Sequence, residues 1–285
     1  METSRLARGV SARFVAGQTL ADALAVSRRV NSEGISVTLD HLGENVTSLE
    51  EATASRDVYL ESLGLLSQNG IQGNVSLKLS QFGIDLSEEK CYANVEQLVR
   101  RAAEIGSFVR VDMENSDYTD RTLQLVADLH ARIGPVGAVI QAYLHRSAAD
   151  ITTLCRKGIR VRLCKGAYLE PPDRAFSEKA DVDRNFVTLM QTLLSTGIYP
   201  AIATHDPRMI AATKNFARDH QIAPDRFEFQ MLYGIRRDLQ RRLVAEGYRL
   251  RLYIPFGKAW YPYFMRRLAE RPANLLFLAR NLWRD

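Results

Sequence analysis

Near the C-terminal end, the stretch YFMRRLAE sets Tyr263, Arg266, Arg267 and Glu270 at i, i+3, i+4 and i+7. On a helix that spacing places all four on one face, the face usually given to Leu and Val. Two adjacent guanidiniums one turn from a phenol form a fixed set of donors that could hold a carboxylate bidentately. Glu270 could anchor an arginine or a polar part of a cofactor. The same stripe could also be a solvated surface, where Arg–Glu pairs stabilise a helix by a few tenths of a kcal/mol. Spacing alone leaves both readings open.

Other chemistry-bearing residues recur at the ends of short β-rich runs. Asp40 precedes HLGE, and Lys78 lies late in NVSLKLS. Asp112 and Glu114 close FVRVDME, while Gln141 and Tyr143 lie in VGAVIQAYL. Arg162, Lys165 and Tyr168 belong to RLCKGAYLEP, and Thr204, His205 and Asp206 to ATHD. Gln230 and Tyr253 complete the set. Each residue alone has a structural reading: Lys78 as a salt-bridged barrel lysine with Asp112 as its partner, His205 as a capping or core histidine, Cys164 as a small buried residue. Convergence on one pocket is what argues for a site. In KGAY, Gly166 would let a backbone approach a flat ring or a phosphate closely, or would simply make a strand-to-helix turn. No HxH, HExxH or carboxylate cluster at ligand spacing marks a metal site.

These residues need a frame that brings strand ends together. Eight β-rich runs are predicted as strands: 35–40, 74–80, 108–114, 136–144, 158–164, 198–204, 226–232 and 248–255. Segments of helical period, such as SLEEATASRDVYLESLGLLSQNG and DRTLQLVADLHARI, lie between them. Strands alternating with helices imply parallel pairing, and eight units is the count that closes a (β/α)₈ barrel of the TIM type. A doubly wound open sheet would announce itself with G-x-G-x-x-G, which the chain lacks. Such barrels build their active sites at the C-terminal strand ends. Residues 5–30 read as helix, broken near Gly17 and restarted at Thr19 as N-cap. No linker or repeat divides the chain. It is therefore expected to form a single domain over 1–285, with N-terminal helices in 1–30 packed outside a barrel of 35–285 and the final helix lying over the barrel mouth.

Composition narrows the function classes. The 285 residues are 46% hydrophobic and 25% charged, as in a globular protein with a substantial core. A net charge of +5 without a basic tract does not point to nucleic acid, but it suits anionic substrates or contact with an anionic membrane surface. Cys91, Cys155 and Cys164 form no CxxC pair, so a reduced, cytoplasmic setting is expected. The N-terminal stretch has no continuous apolar h-region, and no 18 apolar residues run together.

Taken in order, LDHLGE, VSLKLS, VDME, VIQAYL, RLCKGAYLEP, ATHD, FEFQMLYG, LYIPFG and YFMRRLAE resemble the proline dehydrogenase family of flavoenzymes. The last of these matches that family's Y-x-x-R-R-x-x-E signature. The resemblance covers nearly the whole chain and implies a (β/α)₈ barrel holding FAD non-covalently. It implies oxidation of L-proline to Δ1-pyrroline-5-carboxylate by hydride transfer to flavin N5, the first step of proline catabolism, with electrons passed on to a quinone at the membrane surface. Arg266 and Arg267 would clamp the proline carboxylate. Lys78, Asp112, Tyr253 and Tyr263 would line the rest of the proline site, walled by Leu163, Ala167, Tyr168 and Leu232. Gln141, Arg162, Cys164, Lys165, Gly166, Thr204, His205 and Glu270 would contact FAD, with Arg162 beside N5. The implied setting is cytoplasmic, with peripheral contact at the inner membrane.

Departures from the pattern are few. Leu169 stands where some bifunctional relatives have Trp, ATHD replaces their ATHN, and the loop after Tyr253 is slightly shorter. The chain resembles the monofunctional branch, in which no aldehyde-dehydrogenase module is expected. Two other classes compete on residue chemistry alone. One is a Schiff-base lyase using Lys78 or Lys165 as the amine. The other is a non-catalytic barrel that binds a carboxylate ligand through the Arg pair.

Overall fold

The computed structural model of the chain describes residues 14–261 together with Tyr263 and Met265. Eight parallel strands close into a barrel: β1 (Ser36–His41), β2 (Gly73–Leu77), β3 (Val109–Val111), β4 (Val136–Gln141), β5 (Val161–Cys164), β6 (Ala201–Ala203), β7 (Glu228–Leu232) and β8 (Leu250–Phe256). Each strand pairs with the next. Closure comes from β8 returning to β1, so that Thr38 lies opposite both Asn74 and Tyr253. All eight predicted strands are present, mostly shorter than their β-rich runs. The surplus residues become turns at the mouth. Lys78, for example, directly follows β2 and takes the N-cap position of a 3-10 turn over Leu79–Phe82.

Helices follow the strands in turn. After β1 comes α2 (Leu49–Gln68), and after β2 comes α3 (Glu88–Glu104). The next four are α4 (Thr119–Arg132), α5 (Ser147–Arg156), α6 (Lys179–Thr196) and α7 (Pro207–Asp219), and α8 (Arg237–Ala245) precedes β8. The N-terminal α1 (Leu20–Ser32) packs against β1 and β8 from outside the barrel. Thr19 is its N-cap in a reciprocal capping box with Asp22, as the sequence indicated, and Gly17 adopts φ +139° ahead of it. Residues 14–18 are not helical, and the rest of the helix expected from residue 5 lies outside the described residues. Backbone at Trp260, Tyr261, Tyr263 and Met265 is helical. No helix among the described residues is long and apolar enough to cross a membrane.

Strand alternation separates two environments. Val37, Leu39, Val75, Leu77, Val109 and Val111 are fully buried in the main hydrophobic cluster, against Tyr59 and Leu63 of α2 and Leu98 of α3. Burying each such aliphatic side chain contributes about 1.5–3 kcal/mol, so this layer stabilises the barrel from outside the sheet. Their neighbours in sequence point the other way, because successive strand residues face opposite sides. In the lumen that places Asn74, Ser76, Asp112, Arg162, Glu228, Gln230 and Arg251, which form a hydrogen-bonded column instead of an apolar plug. Arg110 donates instead to the backbone carbonyls of Ala138 and Arg160.

Candidate active site

The upper end of that column opens into a cavity of about 640 Å³ at the C-terminal strand ends. Asp112, just past β3 and 8% exposed, is its node. Its Oδ1 accepts from Ser76 Oγ and from Arg162 Nη1, each at 2.6 Å. Its Oδ2 accepts from the Tyr253 hydroxyl at 2.7 Å, and Lys78 Nζ lies 3.9 Å away. Four strand ends thus meet on one carboxylate. Burial pushes the Asp112 carboxyl up, but Arg162, Lys78, Ser76 and Tyr253 outweigh it and hold it below the ordinary carboxylate value.

Lys78 is surrounded by acids: Asp40 Oδ1 at 3.6 Å, Glu44 Oε1 at 3.7 Å, and Asp112. Burial opposes its charge, yet these three carboxylates raise the ammonium above its ordinary value. A Schiff-base lysine needs the opposite, an amine made neutral near pH 7. Asp40, 1% exposed, is shifted upward by burial, against the pull of Lys78. The Tyr253 phenol is pushed well above its usual range by burial and then by Asp112, so it remains a hydrogen-bond donor.

One side of the cavity carries the KGAY turn. Gly166 adopts φ +113°, and a Cβ there would come within 2.4 Å of the Tyr143 ring, so only glycine fits. Lys165 is fixed between Asp183 of α6 (2.5 Å) and Asp206 (2.8 Å), the N-cap of α7. Burial opposes the charge of Asp206, but Arg208 and Lys165 hold its carboxyl below the ordinary range. Leu232 N–H donates to His205 Nε2 at 2.9 Å, which puts the neutral ring's proton on Nδ1 and ties β6 to β7. Burial pushes the Cys164 thiol up to about 12, so it is protonated.

The fold brings together Lys78, Asp112, Gln141, Arg162, Cys164, Lys165, Gly166, Ala167, Tyr168, Thr204, His205, Leu232, Tyr253 and Tyr263 as lining. Leu163 is not among the lining residues. It is fully buried in the main core cluster, because it alternates with the inward-facing Arg162 and Cys164. Glu114 also turns aside: it accepts from Ser80 N (3.0 Å) and Ser80 Oγ (2.5 Å), anchoring the 3-10 turn. Arg266, Arg267 and Glu270 lie outside the described residues. Ser76 and Asp183 went unnoticed in the sequence. For Ser76 the signal was present, since it stands two residues before Lys78 and so on the same strand face.

A family model described as Proline dehydrogenase matches residues 23–280. Proline dehydrogenase 2 of Bacillus subtilis (strain 168) is 40% identical over 279 residues, covering 98% of this chain and 91% of that protein. Proline dehydrogenase of Deinococcus radiodurans is 41% identical over 275 residues, covering 95% of this chain and 89% of that protein. Among solved structures, proline utilization A (PutA) from Bdellovibrio bacteriovorus inactivated by N-propargylglycine is similar with a TM-score of 0.86 at 29% identity. That match covers 92% of this chain and 32% of the other, so the chain spans about a third of that longer protein.

Proposed function

The chain belongs to the proline dehydrogenase family, and on that premise we propose which of its residues carry each part of the reaction. The reaction is the oxidation of L-proline in proline catabolism, and the family implies a flavin cofactor. The finer reading is that the flavin is FAD, bound non-covalently, and that electrons pass on to a quinone through peripheral contact with a membrane.

The mouth suits a flavin. Gly166 leaves a cradle that a Cβ would fill against the Tyr143 ring, and Gln141, Arg162 and Lys165 supply donors around it. Gln141, Arg162, Cys164, Lys165, Gly166, Thr204 and His205 would hold the cofactor, with Glu270 joining them by its match to the family signature. When bound, a flavin supplies the hydride acceptor and the protein need not provide a strong base.

What remains for the chain is binding and orientation. Arg266 and Arg267 pair with the substrate carboxylate. Lys78, Asp112, Tyr253 and Tyr263 surround the rest of the proline, with Ala167, Tyr168 and Leu232 as apolar wall and Leu163 supporting it from behind. The observation that carries this reading is the Asp112 node: Arg162, Ser76 and Tyr253 fix a charged carboxylate within one cavity. The persistent Lys78 ammonium argues against Lys78 as the amine of a Schiff-base lyase. The FAD assignment is tested by denaturing the purified holoenzyme and chromatographing what is released. Coelution with FAD is expected. Release of FMN, or a flavin that stays with the denatured chain, refutes the assignment.

A further inference from the structure

The lower end of the lumen opens into a second cavity, about 650 Å³, at the N-terminal ends of the strands. It lies beyond the Arg162–Asp112 node, on the face where such barrels do not carry their chemistry. Arg110, Arg160 and Arg251 line it, and Glu228 is the one carboxylate among its described lining residues. Glu228 is committed to Arg251 in a bidentate pair, with Nε–Oε1 at 2.8 Å and Nη2–Oε2 at 3.1 Å. That leaves two guanidiniums without a carboxylate partner among the described residues.

Arg110 is only 4% exposed. Its Nη1 donates to the carbonyls of Ala138 (3.0 Å) and Arg160 (2.7 Å), while its Nε is buried with no hydrogen-bond partner. Gly137 makes room for it, since a Cβ there would stand 2.8 Å from Arg110 Nη1. Burial and then Arg162 act against its charge, while Glu228 and Asp112 act for it without outweighing them. Arg160 stacks over Phe108 at 5.3 Å and over Tyr199 at 5.4 Å, with its side chain exposed. A buried guanidinium is costly unless an anion neutralises it, and a cavity of this size admits a small molecule.

We propose that this basal cavity binds a small dianion, a phosphate or a dicarboxylate, between Arg110 and Arg160, beside the Arg251–Glu228 pair. Guanidinium forks match both groups bidentately. The site is joined to the mouth by an unbroken chain of hydrogen bonds. Arg251 Nε donates to Glu228 Oε1, which also accepts from Gln230 Nε2 (2.5 Å), and Gln230 Oε1 accepts from Arg162 Nε (2.5 Å).

The test is thermal unfolding of the holoenzyme titrated at constant ionic strength with inorganic phosphate and, in a second arm, with succinate. A ligand that binds only the folded state raises Tm by roughly 5 °C at about a hundredfold excess over its Kd. A saturable rise in one arm identifies the ligand group. The rise should persist in Arg266→Met, which removes the anion clamp expected at the mouth, and should vanish in Arg160→Met and Arg110→Met. Arg160→Met alters an exposed side chain and keeps the test valid if Arg110→Met fails to fold. No saturable rise in either arm overturns the proposal. So does a rise that survives Arg160→Met or is lost in Arg266→Met.

Discussion

The Tyr253 hydroxyl donates to Asp112 Oδ2 at 2.7 Å across the barrel mouth, joining β8 to the end of β3 on a carboxylate that Arg162 holds from the other oxygen. A hydrogen bond to a buried charge contributes about 1.5–3 kcal/mol. Tyr253→Phe should lower the unfolding free energy by that amount at pH 7. The loss should shrink towards the roughly 1 kcal/mol of a neutral hydrogen bond in an Asp112→Asn background, because the charge that strengthens the bond is gone. Denaturant unfolding of the four proteins measures the coupling, and equal losses in both backgrounds would show the two residues to be independent.

The same carboxylate has a pH signature. The Asp112 carboxyl lies below 3.8 in the fold and near its ordinary value when unfolded, so the unfolded chain takes up the proton first as pH falls. Its stabilising contribution is present above about pH 5 and disappears as pH falls through the folded value. The stability gap between wild type and Asp112→Asn should therefore be widest near pH 7 and narrow towards pH 3. A gap that widens on acidification has the wrong sign.

Lys78 separates two enzyme classes. Ringed by Asp40, Glu44 and Asp112, its amine remains an ammonium through the working pH range. Borohydride added with a carbonyl ligand should leave the mass of the chain unchanged. A trapped adduct on Lys78 would restore the lyase reading.

Gly166→Ala should empty the flavin site without unfolding the barrel. Its Cβ would meet the Tyr143 ring at 2.4 Å in a backbone conformation that side chains rarely adopt. The 450 nm absorbance per chain should fall several-fold while far-ultraviolet circular dichroism is kept. Full flavin occupancy in this variant would remove the cradle assignment.

Much of the barrel was legible because the strand period is two and the helix period 3.6, and the chain keeps both. VSLKLS and FEFQML alternate apolar and polar in a way that usually marks a sheet with one wet face. Here the polar face is the lumen, and the eightfold count of βα units identified it. Side-chain direction decided what was misread. Leu163 belongs to RLCKGAY but falls on the outer face, and Glu114 follows VDM but turns back to Ser80. Neither direction is encoded in a motif. The basal cavity was also hidden, because Arg110, Arg160 and Arg251 come from three strand runs that only barrel closure brings together.

On the proposed reading, L-proline gives up its hydride at this mouth, held by its carboxylate. In steady-state assays Arg266→Met, which lacks one of the two guanidiniums assigned to that carboxylate, should raise the proline KM steeply while flavin stays bound. Losing a charge-assisted pair costs about 2–5 kcal/mol, and an unchanged KM would contradict the clamp. The most direct measurement is the visible spectrum of the purified protein under anaerobic conditions. It should show an oxidised flavin band near 450 nm that bleaches when L-proline is added. A flavin-loaded protein whose band is unchanged by saturating L-proline would refute proline oxidation at this site.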